Sequence, residues 1–249
     1  MTSVIVNKLS EYMAFIEELP TEFTLSRGQG GDYPLLPSAL RKDVSGNRKY
    51  PKRAIRNFLD EFKLNSYQYM ANPSDIENDV EWMLYAQHYG IPTRLMDFTT
   101  SHIVSLLFAV EKSFQNEDEI DAVVYFLNPT KLNLLNVQQE KIINISGVPG
   151  IPSEVHDGPI VIQGRKINQR VNAQKGLFVL FQNDDNPLES INNDSILRKL
   201  VITGSETKNI LSSLYSMGIS FSHIYPELPS VAKDIVMQQD ILDYIREKN

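Results

Sequence analysis

The alternation of apolar and polar residues divides most of the chain into helix-like and strand-like segments. Val4, Ile5, Leu9, Tyr12, Met13 and Ile16 recur at helical spacing and predict a first helix over 4–19, ended by Pro20. Residues 22–26 read as a strand that delivers Arg27, Gly28 and Gln29 at its end, and the Gly- and Pro-rich stretch 28–43 reads as loop. Helices are expected over 52–64 and 76–89, the second capped by Ser74 or Asp75. The run AVVYFL at 122–127 predicts a buried strand, followed over 128–158 by loops with one short helix. Further strands are expected at 159–163, 176–181 and 197–203. A helix over 205–217 should end at Gly218, with an extended stretch at 219–225 and a last helix at 230–246. No repeat or linker interrupts this order. The pattern is that of a single α+β domain over 1–249, a mixed or mostly antiparallel sheet flanked by helices.

The segment 87–110, QHYGIPTRLMDFTTSHIVSLLFAV, carries the densest chemistry. Pro92 lacks an N–H and drives Ile91 from helical geometry, so the preceding helix should end at Tyr89 and Gly90. Residues 93–98 have the alternation of a short strand. Ser101 is placed to cap the next helix, whose face is Ile103, Leu106, Leu107 and Val110 at i, i+3, i+4 and i+7. A polar corner of Thr99, Thr100 and Ser101 therefore lies between a strand and a packed helix. Such a corner suits a binding site.

Composition narrows the setting. Hydrophobic residues make up 42% and charged residues 22%, ordinary for a globular protein. No run of apolar residues is long enough to span a membrane, and the N-terminus lacks the pattern of a signal peptide. With no cysteine there can be no disulfide, thiol nucleophile or thiolate metal site, and a cytoplasmic protein is expected. Net charge is −7, which does not favour long-range attraction to nucleic acid. Locally the balance reverses: Arg41, Lys42, Arg48, Lys49, Lys52, Arg53 and Arg56 face one acid, Asp43. That stretch reads either as solvated surface or as a phosphate-contacting patch on a loop and helix start.

Arg27 sits among Gly28, Gly30 and Gly31. Glycines allow backbone amides to approach a phosphate, and Arg binds one bidentately; the alternative is an exposed turn. His88 offers a pKa suited to a general base, or else interacts with the dipole at a helix C-terminus. His88 and His102, which flank the central strand, are too few for a typical zinc site without carboxylates at helical spacing, no HExxH is present, and no metal is expected. Arg94 and Asp97, three apart beside a core helix, are expected to form a structural ion pair. No GxSxG, Walker A or GxGxxG motif occurs.

SRGQ at 26–29, YPLLPSALR at 33–41, AQHYGIPTRLMDFT at 86–99, SLLFAV at 105–110, NAQKGLF at 172–178 and GISFSHIYPEL at 218–228 together resemble the FRG domain family, over about 23–232. Two departures are Ser26, where the family has an aromatic, and Glu227, where it has Asp. More remotely, Arg27 followed by Thr99, Thr100 and Ser101 ahead of a helix looks like the arrangement in ADP-ribosyltransferases of the Arg–Ser–Glu kind. That likeness implies NAD as substrate, with no metal. Arg27, Gly28, Gln29, Arg41, Gln87, Thr93, Thr99 and Thr100 would then bind the dinucleotide, and His88, Ser101, Gln174 and Glu227 would be the catalytic candidates. The catalytic glutamate of those enzymes has no counterpart on a plausible strand. Gln174 occupies about its place in chain order without its charge, and Glu227 is the late carboxylate alternative.

Three readings remain open from sequence. The first is an NAD-using or NAD-cleaving enzyme of a bacterial or phage toxin or defence system. The second is a non-catalytic nucleotide sensor with the same pocket, and the third a protein-interaction module in which the central motif is a structural tie. The expected ligand is a nucleotide or dinucleotide. The sequence leaves any protein or nucleic-acid target undefined, and no membrane partner is expected.

Overall fold

The computed structural model describes residues 3–70, 73–115, 118–145, 156, 158–164, 176–182 and 186–248. Its strands are β1 (Ser3–Val6), β2 (Leu25–Gln29), β3 (Leu95–Thr99), β4 (Ala122–Leu127), β5 (Ile143–Asn144), β6 (Ile160–Gln163), β7 (Gly176–Leu180) and β8 (Leu197–Ile202). They form one sheet in the order β1-β8-β4-β2-β3-β7-β6-β5. The edge strands β1 and β5 run parallel to β8 and β6, and the pairs between are antiparallel. The helices are α1 (Leu9–Glu18), α2 (Lys52–Ser66), α3 (Asp79–His88), α4 (His102–Val110), α5 (Pro129–Val137), α6 (Thr207–Ser216), α7 (Phe221–Ile224) and α8 (Leu228–Lys248). No described helix is long and apolar enough to cross a membrane. The α+β class and the mixed sheet are as the hydrophobic pattern predicts.

The core explains which segments were legible. All six residues of β4 are buried, as its unbroken apolar run requires of a central strand covered on both faces. Leu25, Val123, Tyr125 and Leu127 share one cluster with Leu35, Leu40 and Ile55. On the other face Val124 and Phe126 meet α1, α4, α6 and α8. A separate cluster joins Leu95, Phe178 and Leu180 to Val80, Met83 and Leu84 of α3. The covering helices thus change from α4 to α3 at the junction of β2 with β3.

Several local expectations are corrected. Val4 and Ile5 belong to β1, not to a helix over 4–19, because three consecutive β-branched residues fit the edge of β8 better than a helical turn. β2 runs to Gln29, so Arg27 lies within the strand and not after it. The N-cap of α3 is Asn78, whose side chain accepts from Glu81 N at 2.9 Å, in place of Ser74 or Asp75. Residues 221–224 are helical and not extended, because Asp234 on α8 accepts from Phe221 N and Ser222 N at 2.9 and 2.8 Å. Gly90 and Gly218 end their helices with φ of +88° and +79°, as predicted. Gln174, with the rest of 165–175, lies outside the described residues.

Candidate functional site

β2 pairs with β4 at five successive positions but with β3 at one only, Ser26 opposite Thr99. Beyond that point the two strands separate, and a cleft of about 530 Å³ opens along the gap. Ser26 to Gly30 form one side and Asp97 to Thr99 another, while Ser105, Phe108, Glu111 and Lys112 contribute from α4 and its end. Tyr33 and Arg41 reach it from the loop after β2.

Arg27 crosses the gap. Its Nη1 donates to the backbone carbonyl of Asp97 at 2.8 Å, replacing a ladder bond that the parted strands do not make. Its Nε is buried and has no hydrogen-bond partner among the described residues. Burial pulls this guanidinium below the usual arginine range; the Asp97 carboxylate opposes that effect and the neighbouring Arg41 adds to it. An anion between the two guanidiniums would relieve both the unmet donor and the like-charge repulsion.

The central motif explains how Asp97 is held there. Gln87 Nε2 donates to Asp97 Oδ1 at 2.8 Å, and Gln87 Oε1 accepts from Thr93 Oγ1. Thr93 is buried, accepts from Leu95 N at 3.2 Å, and its own N–H donates to Ser38 Oγ at 3.3 Å. Gln87 and Thr93 thus line no part of the cleft and act as a brace behind Asp97. Arg94 lines a different cleft, beside α2, whereas Asp97 lines this one.

Gly28 has a packing duty. A Cβ there would stand 1.8 Å from Ser105 O and 2.7 Å from Ala109 N, so only glycine lets α4 lie this close to β2. Gln29 donates to Tyr33 O at 2.8 Å and fixes the loop that carries Arg41. Among the three hydroxyls, Thr99 lines the cleft and its Oγ1 accepts from Ser101 N at 3.1 Å. Thr100 is exposed and lines a separate, open depression with His102. Ser101 is the N-cap residue of α4, but its hydroxyl makes no capping bond.

Of the remaining catalytic candidates, neither His88 nor Glu227 lines the cleft. His88 ends α3 with its ring edge-on to Tyr89, and Glu227 precedes α8. Among the described residues, the carboxylates that do line it are Asp97 and Glu111, the latter held by Lys233 at 2.6 Å. Sequence reasoning missed Ser26, Ser105 and His102 as a unit. Ser26 Oγ lies 2.8 Å from both Ser105 Oγ and His102 Nδ1, with Ser26 and Ser105 fully buried. The only signal was a serine in place of the family's aromatic at position 26. Burial lowers the pKa of His102, and a hydrogen bond to the Phe23 backbone partly offsets this.

No curated protein and no solved structure matches the chain. Residues 24–118 match the family model of the FRG domain, a narrower span than the motifs at 23–232 suggest. The matched segment contains every residue that lines the Arg27 cleft except Ile120, so over the stretch that builds this site the chain is similar to the FRG domain.

Proposed function

We propose that the cleft between β2 and β3 binds a nucleotide or dinucleotide through its phosphates, and that NAD is its substrate. The observation that carries this reading is Arg27: its buried Nε has no acceptor among the described residues, in a side chain that lines a cleft shared with Arg41. A phosphate supplies several acceptor oxygens to two guanidiniums at once. The cleft volume lies within the range of small-ligand sites. Tyr33, 60% exposed, offers a ring on which a nucleobase could stack.

In the NAD reading, the bond between nicotinamide and ribose breaks and its electron pair leaves with nicotinamide. The oxocarbenium-like ribose then takes a nucleophile, either water or an acceptor group, which gives up its proton. A negative charge near the ribose would stabilise that cation. Asp97 lines the cleft and its charge acts on Arg27, so it is a further carboxylate to test, whereas Glu227 does not line the cleft.

A second reading, a non-catalytic nucleotide sensor, is favoured by one observation. Both carboxylates on the cleft already serve a protein partner, Asp97 with Gln87 and Glu111 with Lys233. Calorimetric titration with NAD, ADP-ribose and ATP, together with an assay for released nicotinamide, separates the two. Binding with release supports the enzyme, and binding without release supports the sensor. If none of the three ligands binds, both readings are wrong.

A further inference from the structure

We propose that single-stranded nucleic acid binds along a cationic track running from a second cleft, at the start of α2, to the Arg27 cleft. The second cleft has a volume of about 640 Å³. Lys52, Arg53 and Arg56 of α2 line it, with Arg94 from the segment before β3. The side chains of Lys52, Arg53 and Arg56 have no ion pair or hydrogen bond among the described residues. Two carboxylates share the cleft, but Asp79 is bound by Lys63 at 2.7 Å, leaving Asp60 beside Lys52, Arg53 and Arg56.

The placement of these cations works against the helix. The first turn of α2 holds Lys52 and Arg53, has no acidic residue, and is preceded by Pro51 without a side-chain cap. Positive charge at a helix N-terminus opposes the macrodipole, and Lys52 with Arg56 is a like-charged i, i+4 pair. Among the described residues no ion pair or hydrogen bond to these three side chains offsets this arrangement, whereas a bound phosphate would. The wall behind the cations is apolar, from Leu59, Met83, Ile91 and Pro92. A cationic rim over an apolar wall matches a nucleotide, with its charged phosphate and flat base.

The track between the clefts points to a ligand whose phosphates repeat. Arg41 lines the Arg27 cleft, and its carbonyl accepts from Lys49 N at 3.0 Å. Lys49 stands over the ring of Tyr50, which packs edge-on against Phe58 of α2, and Pro51 then leads into Lys52. The one acid of this stretch is already used: Asp43 Oδ1 accepts from Ser45 N and Asn47 N at 2.9 and 3.0 Å and shapes the turn. Tyr33, exposed beside the Arg27 cleft, offers a ring on which a base could stack. An acidic peptide would use the cations but gain little from the apolar wall.

Fluorescence anisotropy with labelled oligo-dT and oligo-rU of about 15 nucleotides tests this. Binding should be measurable at low salt and weaken steeply between about 50 and 200 mM. Joint substitution of Lys52→Ala, Arg53→Ala and Arg56→Ala should weaken it at least roughly tenfold and reduce the salt slope by about 2, for three lost phosphate contacts. These side chains are exposed and oppose the helix dipole, so melting should be unchanged or slightly raised; Arg53→Glu alone provides a second variant with a loss of binding in the same direction. Absence of binding at low salt, an unaffected triple variant, or equal competition by polyglutamate would overturn the proposal. Tighter binding to duplex would do so as well. The proposal does not depend on the nucleotide reading of the Arg27 cleft. Wild type that binds oligonucleotide but no NAD, ADP-ribose or ATP removes that reading and keeps this one, and the converse removes this one.

Discussion

Arg27 and Asp97 meet across the gap between β2 and β3, where Arg27 Nη1 donates to the Asp97 backbone carbonyl at 2.8 Å and the Asp97 carboxylate lies close enough to favour the charge of Arg27. The arginine is thereby tied to β3 by its tip while Nε stays unmet. Structural and ligand-binding duties are divided within one side chain, and substitutions at the two residues can separate them.

Asp97→Asn keeps an oxygen for the Gln87 amide but removes the negative charge beside Arg27. If Asp97 only positions Arg27, this variant should bind phosphate-bearing ligands more tightly than wild type, since a competing anion is gone. Asp97→Ala should lose about 1–3 kcal/mol of stability, because the Gln87 amide is left without its acceptor. Chemical denaturation and calorimetry check both. If Asp97→Asn binds NAD normally while a wild-type nicotinamide release disappears, Asp97 belongs to the chemistry and not to the scaffold.

Gly28→Ala should destabilise by about 1–3 kcal/mol or more, because the new methyl meets backbone atoms of α4 that cannot step aside. Denaturant midpoints give the measurement. A stable variant with impaired ligand binding would mean that Gly28 serves the phosphate after all and that α4 can move.

Stability should fall with acid through His102. Burial holds its folded pKa below the ordinary 6.5, so the unfolded chain takes up a proton there before the folded one does. The contribution is complete above about pH 6.5 and declines as pH drops toward the lower, folded value. His102→Asn places an amide about where Nδ1 stands, retains a partner for Ser26, and does not titrate. Between about pH 7.5 and 5.0 the melting temperature of wild type should fall, and that of the variant should fall less. An identical pH dependence in both proteins would show that His102 carries no share of it.

Much of the architecture was legible because burial leaves a local trace. β4 is apolar at every position and α4 follows the helical spacing of Leu106, Leu107 and Val110, so both appear where the pattern places them, although burial of α4 also takes in Val104, Ser105 and Ala109. Where the deciding partner is distant in sequence, the pattern misleads. Asp234 makes 221–224 helical from its place on α8, and β8 draws Val4 and Ile5 into the sheet. The site divides in the same way. Arg27, Arg41 and Thr99 were identified by residue type and do line one cleft. Gln87 and Thr93 looked like ligand contacts but brace Asp97, ten residues from Gln87. The glycine at 28 looked like a phosphate cradle because sequence cannot distinguish a ligand's approach from a helix's.

Arg27→Lys is the sharpest test of the site. Lysine keeps the charge but has a single nitrogen, which can serve either the Asp97 carbonyl or a ligand in the cleft. Losing the bond to Asp97 should cost roughly 1 kcal/mol, a small drop in melting temperature. Losing the bidentate fork should weaken NAD, ADP-ribose or ATP binding at least about tenfold, or roughly 1.4 kcal/mol. The two effects are independent measurements on one variant, melting and calorimetry. A large loss of stability with ligand affinity preserved in the folded fraction would make Arg27 a strap between β2 and β3. Its unmet Nε would then be a tolerated defect of the core. Near-normal melting with affinity lost instead identifies Arg27 as the residue that receives the phosphate.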